Sequence, residues 1–306
     1  MKRDFLSIDD LTSEDLTRLL DLAAKVKATP DDYSARLRGK AVALIFEKPS
    51  TRTRVSFEVA VSSCGGHPVV LSSSELQLGR GETIEDTGRV LSRYVDAIVL
   101  RTFEQERLEV LAHAASVPVV NSLSDFEHPC QCLADLLTAR ERKGELAGRT
   151  MTYLGDGNNV THSLLLGGAK AGMRVRVATP PGFEPIPQVV HRATEIASGT
   201  GGSIDILHDP LRAADGADVL YTDVWASMGR EAEADERALV FPIYQLNQQM
   251  VDAAADDVTV MHCLPAHRGQ EITDEVLDGP HSAVWDQAEN RLHTQKALLL
   301  LLFGMD

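Results

Sequence analysis

Five consecutive residues, Ser50-Thr51-Arg52-Thr53-Arg54, crowd three hydroxyls and two guanidiniums behind Pro49. Such a set suits an anion, phosphate above all, when it opens a helix. The first N–H groups of a helix lack partners, and the helix dipole adds partial positive charge there. At about 100° per residue Arg52 and Arg54 point in nearly opposite directions, so one can meet a ligand while the other braces the protein. The plain alternative is a capped surface helix with exposed arginines, and five residues alone do not choose between them.

Other stretches could also do chemistry. His128-Pro129-Cys130-Gln131 places His128 and Gln131 three apart, on one face of a first helical turn. A neutral imidazole and an amide can donate to one carbonyl oxygen and polarise it; a histidine N-cap beside an exposed glutamine is the simpler reading. Leu154-Gly155-Asp156-Gly157-Asn158-Asn159 opens like a dinucleotide loop. Val160, however, holds the last glycine position, and Ala178-Thr179 stands where a ribose-binding acid belongs, so the sequence argues against NAD. Asn159 could cap a helix or present its amide to a small polar molecule. In Asp223-Val224-Trp225-Ala226-Ser227-Met228-Gly229 the aspartate could hold an ammonium group or simply shape a turn. Cys263, in His262-Cys263-Leu264-Pro265, could be a working thiol or a buried one. Arg291, in Glu289-Asn290-Arg291, could be a second anion clamp or a surface charge.

The elements that position these residues follow from hydrophobic periodicity. Strands are predicted over 41–46, 69–71, 95–101, 117–120, 150–154, 175–178, 204–207, 219–222, 258–262 and 283–285. Helices are predicted over about 12–27, from 51 to the Gly65-Gly66 pair, and over 84–94, 105–114, 128–143, 158–171, 187–198, 273–277 and 288–303, with a further short one between the strands 204–207 and 219–222. This alternation is an α/β pattern of two domains, each a central parallel sheet flanked by helices. The pattern restarts near residue 148. Residues 1–143, completed by the closing helix 288–306, form the first domain and 148–287 the second, joined by long interdomain helices with 128–143 as the hinge. Ser50–Thr53, Arg101, His128, Gln131, Asn158, Asn159, Asp223 and Cys263 all fall just past strand C-termini, the edge where open α/β sheets bind ligands. Two such edges facing one another would make an interdomain cleft.

A length of 306 residues, 43% apolar and 25% charged, describes an ordinary globular protein. The net charge of −15 opposes nucleic-acid binding, though clustered arginines can reverse the field locally. Cys64, Cys130, Cys132 and Cys263 form no C-x-x-C pair, so neither a zinc site nor any other metal is expected. Free thiols, no signal peptide and no run long enough to cross a membrane point to the cytoplasm.

Taken together and in order, these blocks resemble the carbamoyltransferase family, and within it the ornithine carbamoyltransferases, over nearly the whole chain. S-T-R-T-R and H-P-C-Q resemble its carbamoyl-phosphate motifs. D-V-W-A-S-M-G resembles its ornithine loop, and H-C-L-P and E-N-R also fit. After Ser-Met-Gly the family often has glutamine; here it is Arg230. The resemblance implies carbamoyl transfer from carbamoyl phosphate to the δ-amine of L-ornithine, with no cofactor. It implies that Ser50, Thr51, Arg52 and Thr53 hold phosphate, and that Arg101, His128 and Gln131, with Thr53, polarise the carbamoyl group. Gln77 would come from a neighbouring subunit, and Cys263, Leu264 (through its backbone) and Arg291 would complete that pocket. Asn159, Asp223, Ser227 and Met228 would bind ornithine. A homotrimer or multiple of trimers follows, as does closure of the 223–230 loop. Putrescine carbamoyltransferase and a catalytically silent paralogue are the alternatives.

Overall fold

A computed structural model describes residues 3–72, 81–226 and 234–306. The chain divides into two compact units, Met1–Ala134 with Asn290–Asp306, and Asp135–Glu289.

In the first unit α1 (Ser13–Ala28) starts at a capping box between Thr12 and Asp15 and buries Leu16, Leu19, Leu20 and Ala23. There follow β1 (Ala41–Phe46), α2 (Thr51–Ser63), β2 (His67–Ser72), α3 (Ile84–Leu91), β3 (Ala97–Arg101), α4 (Gln105–Ala114) and β4 (Val119–Leu123). The strands pair in parallel in the order β2-β1-β3-β4. Because β1 has β2 on one side and β3 on the other, the crossovers leave it in opposite directions. The crevice beyond the ends of β1 and β3 is therefore a topological switch point. Phe46 and Arg101 are paired there. Helix α5 (Pro129–Lys143) begins in this unit and ends in the second.

The second unit carries β5 (Thr150–Leu154), α6 (Asn159–Lys170), β6 (Arg174–Ala178), α7 (Pro187–Thr200), β7 (Ser203–Leu207), α8 (Pro210–Ala214) and β8 (Val219–Thr222). It continues with α9 (Ala234–Val240), α10 (Gln248–Ala253), β9 (Thr259–His262), α11 (Asp274–Leu277) and the start of α12 (Val284–Leu302). Its parallel order is β7-β6-β5-β8-β9, so the switch point lies between β5 and β8, where Leu154 pairs with Thr222. The core beneath includes Leu154, Leu220, Leu246, Val260, Ile272 and Val284.

The sequence predicts a strand over 283–285, and the structure corrects it. Val260 exchanges backbone hydrogen bonds with His281 and Ala283, but only a single bridge to Ser282 forms before α12 begins at Val284. A short buried–exposed alternation, Val284 against Trp285 at 59% exposure, imitates a strand at the start of a helix. Glu289-Asn290-Arg291 consequently lies inside the last helix rather than before it. Helices α9 and α10 lie in a stretch where the sequence reading places no element.

Gly157 explains the G-D-G loop without a dinucleotide. A Cβ there would sit 2.2 Å from Pro185 N and 2.4 Å from the Glu184 carbonyl carbon, and its N–H donates to Phe183 O at 2.8 Å. Gly157→Ala must push backbone aside. A loss of about 2–3 kcal/mol is expected from urea titration, and an unchanged midpoint would contradict this packing.

Candidate active site

The first unit gathers cations at its switch point. Ser50 occupies the N-cap of α2 in extended backbone, but its side chain makes no capping hydrogen bond. The helix end therefore keeps N–H groups available for an anion. Thr53 is 1% exposed and its Oγ1 accepts from Arg291 Nη2 at 2.6 Å, which brings α12 onto α2. Arg54 faces outward, with Glu58 3.8 Å away as an exposed i,i+4 pair. Of the two guanidiniums Arg52 is the one near enough to His128 for its charge to act on the imidazole, whereas Arg54 lies on the helix surface. Arg101 is buried at the end of β3, where the pairing with β4 shifts register. His128 precedes α5, and its carbonyl accepts from the Gln131 and Cys132 amides; both His128 and Gln131 are buried.

Burial drives the His128 pKa well below its usual value, and the Arg291, Arg101 and Arg52 guanidiniums depress it further. The imidazole is therefore neutral at pH 7, able to donate one N–H to an oxygen without competing for protons. The pH dependence has a definite sign. Above about pH 6.5 His128 is neutral folded or unfolded. As pH falls below that value the unfolded chain takes up a proton that the folded chain refuses, so stability falls. His128→Gln should remove up to about 1.4 kcal/mol per pH unit of that slope. Equal slopes in wild type and variant would contradict a depressed His128.

The second unit builds a different site at its own switch point. Asn158 caps α6 through Oδ1, accepting from the Val160 and Thr161 amides at 3.0 and 3.2 Å. Its Nδ2 donates to Asp223 Oδ2 at 3.0 Å. Cys263 Sγ donates to Asp223 Oδ1 at 2.9 Å. Both carboxylate oxygens are thus fixed, and the buried Asp223 presents its remaining lone pairs as an acceptor for a cationic or polar N–H group. The end of β9 is fixed as well. Gln287 Oε1 accepts from His262 N at 2.9 Å, while Gln287 Nε2 donates to Asp135 Oδ1 at 2.7 Å. Asp135 also accepts from Tyr221 Oη at 3.2 Å.

Asp223, His262 and Cys263 bring one potential metal-ligand atom each within 4.8 Å of one another, a proximity that sequence spacing does not reveal. The imidazole is already engaged, however. Nδ1 accepts from Leu264 N at 2.8 Å, which assigns the proton to Nε2, 3.1 Å from Glu271 Oε1. Leu264 itself holds φ 59, an uncommon conformation for leucine.

Asn158, rather than Asn159, is the cap and the partner of Asp223; Asn159 is the first residue of α6. Asn290 anchors α1 by accepting from Lys27 Nζ at 2.8 Å. Gln77, Ser227, Met228 and Arg230 lie outside the described residues.

Fold and sites together define an α/β group-transfer enzyme. One sheet edge carries the buried Arg101 near a neutral His128; the other carries an aspartate held by an amide and a thiol. Residues 3–141 match the carbamoyl-P binding domain of aspartate/ornithine carbamoyltransferase, and residues 147–302 match its Asp/Orn binding domain. The chain belongs to the aspartate/ornithine carbamoyltransferase family. It is 65% identical over 303 residues to an ornithine carbamoyltransferase of Parafrankia sp., covering 98% of this chain and 96% of that one. The structure of ornithine carbamoyltransferase from Pyrococcus furiosus is similar, with TM-score 0.96, 54% identity, and 99% and 97% of the two chains covered. So is the anabolic ornithine carbamoyltransferase of Campylobacter jejuni, with TM-score 0.94, 35% identity and both chains fully covered.

Proposed function

We propose that this chain transfers the carbamoyl group of carbamoyl phosphate to the δ-amino group of L-ornithine, giving L-citrulline and phosphate in arginine synthesis. The observations that carry this reading are the buried, neutral His128 within electrostatic reach of Arg291, Arg101 and Arg52 and the uncapped start of α2, with Arg291 held on Thr53 of its first turn, in a chain of this family. Ser50, Thr51, Arg52 and Thr53 hold the phosphate, and Arg101 adds its charge to the same anion site. Arg101, His128 and Gln131 donate to the carbonyl oxygen and leave the carbon electrophilic, with Arg291 buttressing Thr53. Asp223 holds the ornithine amine and Asn158 steadies Asp223. Asn159, Ser227, Met228 and Gln77 enter by the resemblance alone.

The amine nitrogen attacks, the N–C bond forms, the C–O bond to phosphate breaks, and one proton leaves the nitrogen. An alkyl amine of pKa about 10.4 is nucleophilic in only one molecule in a few thousand at pH 7. The kcat/KM for ornithine is therefore expected to rise tenfold per pH unit from pH 6 to 8; a flat profile would contradict attack by the free amine.

A homotrimer, or a multiple of trimers, goes with this reading. The exposed Val55 and Val59 on one face of α2 support burial against another copy, and light scattering reads the mass. No helix among the described residues is long and apolar enough to cross a membrane, and the four cysteines are free, which supports a cytoplasmic enzyme. The direct test of function is stoichiometry. Citrulline and phosphate should appear one to one from carbamoyl phosphate and ornithine, and phosphate without citrulline would overturn the proposal.

A further inference from the structure

Arg237 is among the largest fully buried side chains, at 1% exposure, and nothing in the proposed chemistry uses it. Its Nη1 lies 2.8 Å from Asp156 Oδ2 and donates to the Trp225 carbonyl. The guanidinium carbon sits 4.9 Å from the Phe183 ring centroid and 5.6 Å from that of Phe241. Those two rings meet edge to face at 5.0 Å, and the Trp225 ring is 6.0 Å from Phe241. Burying an ion pair is a poor route to stability, because desolvation cancels most of the attraction; in some proteins such a pair fixes a geometry instead.

The geometry fixed here concerns Asp223. Trp225 follows it by two residues in the chain. Asp156 precedes Asn158 by two, within a turn where Asn158 N donates to Asp156 O at 2.8 Å. Asn158 is the residue whose amide holds Asp223 Oδ2. One guanidinium therefore braces Asp223 from both sides, through the chain after it and through the loop that carries its amide partner. A lysine could keep the charge but not the planar face that two aromatic rings flank.

We propose that Arg237, paired with Asp156, is a positioning residue for the amino-acid site, holding Asp223 and Trp225 in register for the incoming amine. This rests on the assignment of Asp223 to ornithine, so the test reads position and activity separately. In a Trp285→Phe background the remaining tryptophan, Trp225, reports its own burial. Arg237→Gln, Arg237→Lys and Asp156→Asn should each red-shift its emission and raise acrylamide quenching at least twofold. In the same variants the KM for ornithine should rise roughly ten- to fifty-fold, least in Arg237→Lys. The affinity for carbamoyl phosphate should stay within twofold. If Arg237→Gln does not accumulate, the milder pair carries the test, since Arg237→Lys and Asp156→Asn each keep one half of the clamp. Unchanged Trp225 emission, or equal losses of both substrates, would overturn the positioning role. A shifted Trp225 with an unchanged ornithine KM would keep the clamp but overturn its link to the amino-acid site.

Discussion

Arg101→Met is expected to lower kcat/KM for carbamoyl phosphate by about 10³- to 10⁴-fold while leaving the fold intact. Methionine keeps most of the aliphatic volume that Arg101 buries at the end of β3. What it removes is the charge. In the absence of ligand the three guanidiniums around His128 repel one another, so the unliganded variant should be no less stable than wild type by more than about 1 kcal/mol. The difference appears on adding ligand. Carbamoyl phosphate or inorganic phosphate at a hundred times its Kd stabilises wild type by about 2.7 kcal/mol. A variant binding a hundredfold more weakly gains only about 0.4 kcal/mol at the same concentration. Thermal shifts with and without phosphate read this directly. A full phosphate-induced shift in Arg101→Met would remove Arg101 from the anion site.

Asp223→Asn is the second large effect, and the local geometry makes it a clean one. An asparagine can turn its Oδ1 toward the Asn158 amide and its Nδ2 toward the Cys263 sulfur, so both contacts at Asp223 survive in altered form. Only the negative charge goes. A hydrogen bond to a charged group is worth about 1.5–3 kcal/mol. With the amine left unpaired in a buried place, kcat/KM for ornithine should fall about 10²- to 10³-fold. Phosphate-induced stabilisation, which reads the first unit, should not change. An ornithine kcat/KM within threefold of wild type would mean that the amine binds elsewhere.

Most of the architecture was legible because parallel sheets write themselves as short apolar runs between helices. The runs 41–46 and 150–154 coincide with β1 and β5, and the strand ends carry the polar residues that an open sheet exposes there. Arg101, Asp223 and Cys263 could be picked out on that ground alone. What the chain does not write is long-range pairing. Arg291 meets Thr53 across 238 positions, and no spacing rule connects them. The Asn158–Asn159 pair shows the limit at close range: a one-residue shift in where α6 begins decides which amide caps the helix and which face it shows to Asp223. Arg237 and Asp156 resisted for another reason, since a buried charge in a short helix after a polar stretch has the composition of a surface. The supposed strand over 283–285 failed because two residues of alternation are too few to separate a strand from the first turn of a helix.

The most direct measurement is citrulline itself, assayed alongside phosphate release, with L-ornithine, putrescine, N-acetylornithine and L-aspartate offered in parallel as carbamoyl acceptors. The expected result is rapid citrulline formation from ornithine, with phosphate release at or near background for the other three. Turnover with putrescine in ornithine's place would contradict the assignment of the Asp223 segment to an amino acid, and no turnover with any of the four would contradict carbamoyl transfer altogether.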